Sequence, residues 1–163
     1  MQDKIKVVFL DRDGTINYDD GYVYKVEDLK LMPYVIRGLQ LLQEKGYKLV
    51  ITTNQPGIGY GYYTKKEFEE YMDSLQEKLL KHGISFFDVL YCPHTKEDEC
   101  DCRKPKTGMV DRFLKNNNVD IKNSWVIGDR LSDIEFAKNL GCKSVQIISL
   151  LTAANMIIHG ELR

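Results

Sequence analysis

The chain has 163 residues, of which 43% are hydrophobic and 29% charged; that length supports one domain with a full core, residues 1–163, and that composition excludes a disordered chain. Lys and Arg number 23 against 24 Asp and Glu, a net charge of −1 that leaves no overall basic field for nucleic acid. No apolar run approaches the ~18 residues of a membrane span, and MQDKIK leads straight into the first predicted strand, so neither a leader nor a membrane segment is expected and the expected location is the cytoplasm.

Val7-Val8-Phe9-Leu10 predicts a strand buried on both faces, as in a parallel sheet. Asp11 and Asp13 follow at its C-terminal end, the edge where open α/β sheets place ligands. Such a pair suits a divalent cation, and one of the two could be a nucleophile. Solvated acids in an Asp-Gly turn are the plainer reading, and this stretch alone does not decide between them. Residues 17–28 read as a loop with a turn at Asp19-Asp20-Gly21. Tyr22 and Tyr24, taken singly, pack that loop onto the body; the loop as a whole is expected to line a substrate pocket.

Pro33 opens a predicted helix over 33–45, with Val35, Ile36, Leu39, Leu41 and Leu42 as its core stripe and Gly46 as its stop. A strand over 47–52 ends in Thr53-Asn54-Gln55, and a glycine-tyrosine loop occupies 56–63. Small hydroxyl and amide groups there can hold a phosphate together with backbone N–H groups. On its own, Thr-Asn-Gln-Pro-Gly can also be only a turn, and without a following Gly-Lys-Ser/Thr it is not a Walker loop. Thr64 and Glu67 form a capping box for a helix that runs to about His82, with Phe68, Tyr71, Met72, Leu75, Leu79 and Leu80 on its apolar face. Residues 86–91 predict a third strand.

Cys92, His94, Cys100 and Cys102 supply three thiols and an imidazole within eleven residues, the donor set of a closed, structural zinc site of three cysteines and one histidine. Reduced surface cysteines are the alternative, and disulfides do not fit a cytosolic chain. Cys142 stands apart and reads as a buried core thiol. Arg103 and Lys104 follow the last zinc ligand directly. A metal-anchored loop would hold either of them rigidly over an anion, where an ordinary basic run would be solvated. Residues 107–117 predict a helix capped by Thr107. A strand over 123–129 ends in Asp129, and Asp133 lies one helical turn later in a helix that closes at Gly141. Residues 143–148 predict a fifth strand; the tail, 150–163, reads as a short helix or loose end without chemistry. Alternating strands and helices predict an α/β fold, a parallel sheet covered on both faces, with Asp11, Asp13, Thr53, Lys104, Asp129 and Asp133 converging at its C-terminal edge.

DRDGT at 11–15, TNQ at 53–55, RKPK at 103–106 and GDRLSD at 128–133 resemble the four motifs of the haloacid dehalogenase-like phosphatases. The resemblance covers nearly the whole chain. CPH and CDC at 92–94 and 100–102 are similar to the zinc loop of one subgroup, the D-glycero-D-manno-heptose 1,7-bisphosphate and histidinol-phosphate phosphatases. The resemblance implies a Rossmann-like doubly wound sheet with a zinc-bound loop. It also implies a capless member, because only about forty residues separate the first two motifs and a helix and strand need most of them.

The resemblance further implies a Mg2+-dependent phosphomonoester hydrolase that works through an aspartyl-phosphate. Asp11 would be nucleophile and Mg2+ ligand, and Asp13 general acid/base and, through its carbonyl, Mg2+ ligand. Thr53 and Lys104 would hold the phosphoryl group, with Asn54 and Arg103 beside the substrate. Asp129 would ligate Mg2+ and Asp133 would support the metal site. NYDDGYVYKVED and GIGYGYYT resemble the heptose branch, with Tyr24 in place of a histidine and Tyr60 where a basic residue is often found. The expected activity is therefore heptose 1,7-bisphosphate 7-phosphatase, with histidinol-phosphate phosphatase as the alternative. A reading of another class is a non-catalytic zinc module that binds a partner through residues 92–106. The expected partner is a small phosphorylated metabolite, with no nucleic acid and no membrane, and the chain is expected to act as a monomer.

Overall fold

Four consecutive apolar side chains can all be buried only where a sheet is covered on both faces, and Val7–Leu10 (β1) is fully buried at the middle of such a sheet. The computed structural model describes residues 3–147 and 149–160. Its strands are β1, β2 (Lys48–Asn54), β3 (Asp88–Cys92), β4 (Trp125–Gly128) and β5 (Lys143–Gln146). Its helices are α1 (Val35–Glu44), α2 (Pro56–Gly59), α3 (Lys65–Leu80), α4 (Gly108–Asn116), α5 (Leu131–Leu140) and α6 (Leu150–His159).

All strand pairs are parallel, in the order β3-β2-β1-β4-β5. Val8 stands opposite Leu49 on one side and Trp125 on the other. Side chains alternate between the faces, so the core divides in two. Val8 and Leu10 join Leu49, Ile51 and Ile127 beneath α1, α3 and α6. Val7 and Phe9 join Val50 and Val126 beneath α4 and α5, with Phe9 edge-on to Phe113 at 6.1 Å. The chain winds outward from β1 through β2 to β3, then returns past β1 to β4 and β5. That reversal places a ligand crevice at the carboxyl ends of β1 and β4. The backbone N–H of Asp11 donates to Ile127 O at 3.0 Å, so the two strands stay joined up to the first acid.

The doubly wound, capless architecture is as the motifs implied: between β1 and β2 lie only a loop with one 3-10 turn (Val26–Asp28) and α1. Several boundaries differ. α1 begins at Val35 rather than at residue 33, because Tyr34 is left-handed at φ 60° and ends the preceding loop. The 56–63 loop contains α2, one turn long and started by Pro56. β2 runs on through Thr53 and Asn54, which pair with Tyr91 and Cys92. β3 starts at Asp88, and β4 starts at Trp125 after a 3-10 turn over Ile121–Asn123. The Thr64–Glu67 capping box is present. Thr107 does not cap α4 with its side chain; the first N–H of that helix, on Gly108, donates instead to Asp101 O at 3.0 Å. β5 ends at Gln146, and Ile148 and residues 161–163 lie outside the described residues. The tail is a packed helix, α6, capped by the Ser149 hydroxyl, with Leu150, Ala153, Ala154 and Ile157 buried. Cys142 is only half-buried at the margin of the second core, and burial pushes its thiol up to about 11.

Candidate active site

Three acids meet at the crevice. Asp11 follows β1, Asp129 follows β4, and Asp133 sits in the first turn of α5; one carboxylate oxygen from each lies within 4.8 Å of the others. Gly14, at φ 78°, permits this closeness, because a Cβ there would overlap the carboxylate of Asp129. Asp129 Oδ1 is buried with no hydrogen-bond partner among the described residues. An all-oxygen donor set with an unpartnered buried carboxylate oxygen fits a hard divalent cation such as Mg2+.

Lys104 is 4% exposed, and its ammonium donates at 2.6 Å to Asp133 Oδ1, at 3.1 Å to Asp11 Oδ1 and at 2.6 Å to Thr52 O. Those bonds engage all three of its donors. Burial works against the Lys104 charge, but Asp11 and Asp133 outweigh it and hold the amine above its ordinary range. Asp11 is pushed up to about 7 by burial; Lys104 pulls it down, and Asp133 and Asp13 push it up further. Burial also raises Asp129. Three carboxylates around one ammonium carry excess negative charge, which a bound cation would relieve.

Asp13 faces the same cleft but turns its carboxylate toward a separate set of donors. Arg12 reaches it with Nε (2.9 Å) and Nη2 (3.0 Å), Asn17 with Nδ2 (2.8 Å) and Gln55 with Nε2 (3.1 Å). Gln55 was expected with Thr53 and Asn54 at a phosphate and bonds Asp13 instead, while Arg12 and Asn17 were given no role by the sequence. Arg12 carries no periodic or spacing signal, because its environment is supplied by α3, sixty residues away.

The predicted phosphate strand end splits in two. Thr53 is buried, with Oγ1 accepting from Gln55 Nε2 at 2.8 Å. Asn54 brackets the Lys104 backbone, Oδ1 accepting from its N–H at 2.9 Å and Nδ2 donating to its C=O at 3.2 Å. Asn54 therefore fixes the loop that delivers Lys104 and also lines the cleft.

Cys92 at the end of β3, His94, Cys100 and Cys102 converge, with Cys92–Cys100, Cys100–Cys102 and Cys92–His94 Nδ1 separations of 3.6, 3.7 and 3.6 Å. Tetrahedral Zn–S bonds of about 2.3 Å would put neighbouring sulfurs about 3.8 Å apart. The Cys92–Cys102 pair, at 2.8 Å, is closer than that, and His94 Nδ1 is 3.1 Å from Cys102 Sγ. A donor set of three sulfurs and one nitrogen fits zinc. Lys106 Nζ donates to Cys100 O at 2.7 Å, and α4 is capped by Asp101 O, so the cysteine loop, Lys104 and α4 form one connected unit.

The cleft above the acids holds about 560 Å³ and is walled by Tyr22, Tyr60, Arg103, Arg130 and Asp19. Arg103 Nη1 is buried without a partner among the described residues. Arg130, a residue the sequence reading did not single out, donates to Asp19 Oδ2 across the mouth at 2.7 Å. Tyr22, at φ 49°, stands edge-on to Tyr62 at 4.8 Å, and Tyr60 donates to Glu97 of the cysteine loop at 3.1 Å. Tyr24 turns inward and stacks on Tyr63. Tyr24 thus packs onto the body as expected of it, whereas Tyr22, expected there too, lines the cleft instead, in line with the reading of the loop as a whole.

A family model described as polynucleotide kinase 3 phosphatase matches residues 6–146. The chain is 42% identical, over 96% of its length and 88% of the relative's, to D-glycero-beta-D-manno-heptose-1,7-bisphosphate 7-phosphatase of Haemophilus ducreyi. It is 41% identical, over 86% of its length, to the histidine biosynthesis bifunctional protein HisB of Blochmanniella floridana, of which it spans 40%. In fold it is similar to the D,D-heptose 1,7-bisphosphate phosphatase of B. bronchiseptica, a structure complexed with magnesium and phosphate, with TM-score 0.88 and 24% identity over 96% of this chain and 99% of that one.

Proposed function

The chain belongs to the polynucleotide kinase 3 phosphatase family, a family of haloacid dehalogenase-like phosphatases, and we propose that it is a Mg2+-dependent phosphomonoester hydrolase that removes the 7-phosphate of D-glycero-D-manno-heptose 1,7-bisphosphate through an aspartyl-phosphate. The observation that carries this reading is the meeting of Asp11, Asp129 and Asp133 with the buried ammonium of Lys104 at the carboxyl ends of β1 and β4.

Asp11 attacks phosphorus and the ester oxygen leaves, which splits one difficult step into two. Asp13 gives its proton to that oxygen, then takes one from the water that hydrolyses the aspartyl-phosphate. Lys104 and Thr53 hold the transferring group, while Asn54 and Arg103, whose buried Nη1 has no partner among the described residues, face the rest of the substrate. Mg2+, held by Asp11, Asp129 and the Asp13 carbonyl with Asp133 in support, would offset the charge of the phosphoryl oxygens. Zn2+ on Cys92, His94, Cys100 and Cys102 would keep the Lys104 loop in place without joining the chemistry.

Histidinol phosphate is the second reading, favoured by the likeness to part of HisB. A non-catalytic zinc module is set aside: a binding surface has no use for three acids gathered around a buried lysine. We further infer a monomeric, single-domain enzyme of the cytoplasm that acts on small metabolites and not on nucleic acid; no helix among the described residues is long and apolar enough to cross a membrane. A screen with and without Mg2+ tests the reading, using heptose 1,7-bisphosphate, histidinol phosphate and a 3′-phosphorylated oligonucleotide. The highest kcat/KM is expected on the heptose ester; a preference for either of the other two overturns the substrate assignment.

A further inference from the structure

Arg12 is a fully buried arginine inside the first motif, between the two acids, and none of the roles above uses it. Burying a guanidinium is costly unless every arm is engaged. Here every arm is. Nε and Nη2 grip the two oxygens of Asp13 at 2.9 and 3.0 Å; Nη2 also donates to Val23 O at 2.7 Å, and Nη1 lies 3.7 Å from Met72 Sδ. The guanidinium carbon sits 4.6 Å from the centre of the Tyr71 ring and 5.7 Å from that of Phe68, both on α3.

A second arm reaches Asp13 from the junction of β2 and α2. Gln55 Nε2 donates to Asp13 Oδ2 at 3.1 Å and to Thr53 Oγ1, while Gln55 Oε1 accepts the hydroxyl of buried Tyr63. The Tyr63 bond fixes which end of the amide faces Asp13. Burial pushes the Tyr63 hydroxyl up to about 12, so it remains a donor across the working range of pH.

We propose that Arg12 and the Tyr63–Gln55 pair are positioning residues that clamp the Asp13 carboxyl toward the leaving oxygen and tie it, through the Val23 carbonyl, to the loop that carries Tyr22 into the cleft. A planar, two-point grip fixes the plane of a carboxylate as a single donor cannot. Arg12 acts through Asp13, whose two oxygens it holds. As the Asp11–phosphorus bond forms and the phosphorus–ester oxygen bond breaks, the Asp13 proton passes to that oxygen. The clamp therefore matters most where the leaving oxygen is strongly basic.

The inference rests on the role of Asp13 given under Proposed function, and its test separates the two. kcat/KM, which reports the steps through departure of the leaving group, is measured with Mg2+ on 4-nitrophenyl phosphate, whose leaving group needs no acid, and on heptose 1,7-bisphosphate or histidinol phosphate, both primary alkyl esters. If the wild type turns over none of these esters, or Asp11→Asn turns them over undiminished, the functional reading fails and not the clamp. With that reading intact, Arg12→Lys is expected to lower kcat/KM about 100-fold on the alkyl ester and less than about threefold on the aryl ester. Tyr63→Phe, which deletes one hydroxyl, is expected to show the same selectivity at about fivefold, and it carries the test alone if Arg12→Lys does not fold. Equal losses on both esters, or no loss on the alkyl ester, would make Arg12 and Gln55 struts of the core and overturn the proposal.

Discussion

Lys104 donates to Asp133 across 2.6 Å, and this bond joins the cysteine loop to the first turn of α5 beneath the cleft. The same ammonium reaches Asp11, so one cation holds together three parts of the chain that meet nowhere in sequence. Replacing it as Lys104→Met leaves the acids uncompensated in a buried place, where loss of one partner costs about 3 kcal/mol. kcat/KM is expected to fall about 1,000-fold. Mg2+ should then raise Tm more in the variant than in the wild type, because the cation relieves more repulsion there. Thermal unfolding with and without Mg2+ checks this, and equal shifts would speak against it.

The Asp11 carboxyl, held up to about 7 mainly by burial, makes a signed prediction for the metal-free protein. An acid whose folded pKa is raised is neutral in both states at low pH and costs stability as pH rises from its ordinary value toward the raised one. Asp11→Asn removes that cost. The variant is expected to melt about 3 °C or more above the wild type at pH 8, with the advantage shrinking toward pH 4. Melting curves in chelator at both pH values check the sign; an advantage that grows as pH falls would contradict it.

How much of this was readable beforehand depends on where the information sits. Asp11, Asp129 and the cysteine–histidine set end strands or fall in short spacings, and Thr64–Glu67 is a local contact; local sequence marks each as a candidate, and for Asp11 the choice between a turn acid and a site acid needed the other motifs as well. Arg12 has no local signal of its own, because Tyr71, Phe68 and Met72 reach it only after α3 has packed. α2 was hidden by Gly57 and Gly59, poor helix formers that hold a single turn through Pro56 and tertiary packing. For the tail, read as a short helix or loose end, the helical spacing of Leu150, Ala153, Ala154 and Ile157 favours the helix that the structure has.

Removing the zinc proposed for Cys92, His94, Cys100 and Cys102 should act on catalysis at a distance. Lys104 lies two residues past Cys102, and its backbone is bracketed by Asn54. Cys100→Ser is expected to lose zinc and to lower kcat/KM at least about tenfold. Metal analysis beside the phosphatase assay decides it, since a zinc-free variant with full activity would uncouple the loop from Lys104.

The capping box of α3 gives a prediction confined to stability. Thr64→Ala removes the acceptor for the Glu67 N–H and should cost about 1 kcal/mol, a fall of about 2–4 °C in Tm, with kcat unchanged. A melt and a rate on the same preparation test it.

The central claim is that Asp11 carries the phosphoryl group. Heptose 1,7-bisphosphate labelled at the 7-phosphate, mixed with excess enzyme and Mg2+ and quenched in acid within one turnover, measures it directly. The account predicts label on the peptide containing Asp11, none in Asp11→Asn, and no phosphate release by that variant. Full-rate release without labelled protein, or undiminished release by Asp11→Asn, would contradict it.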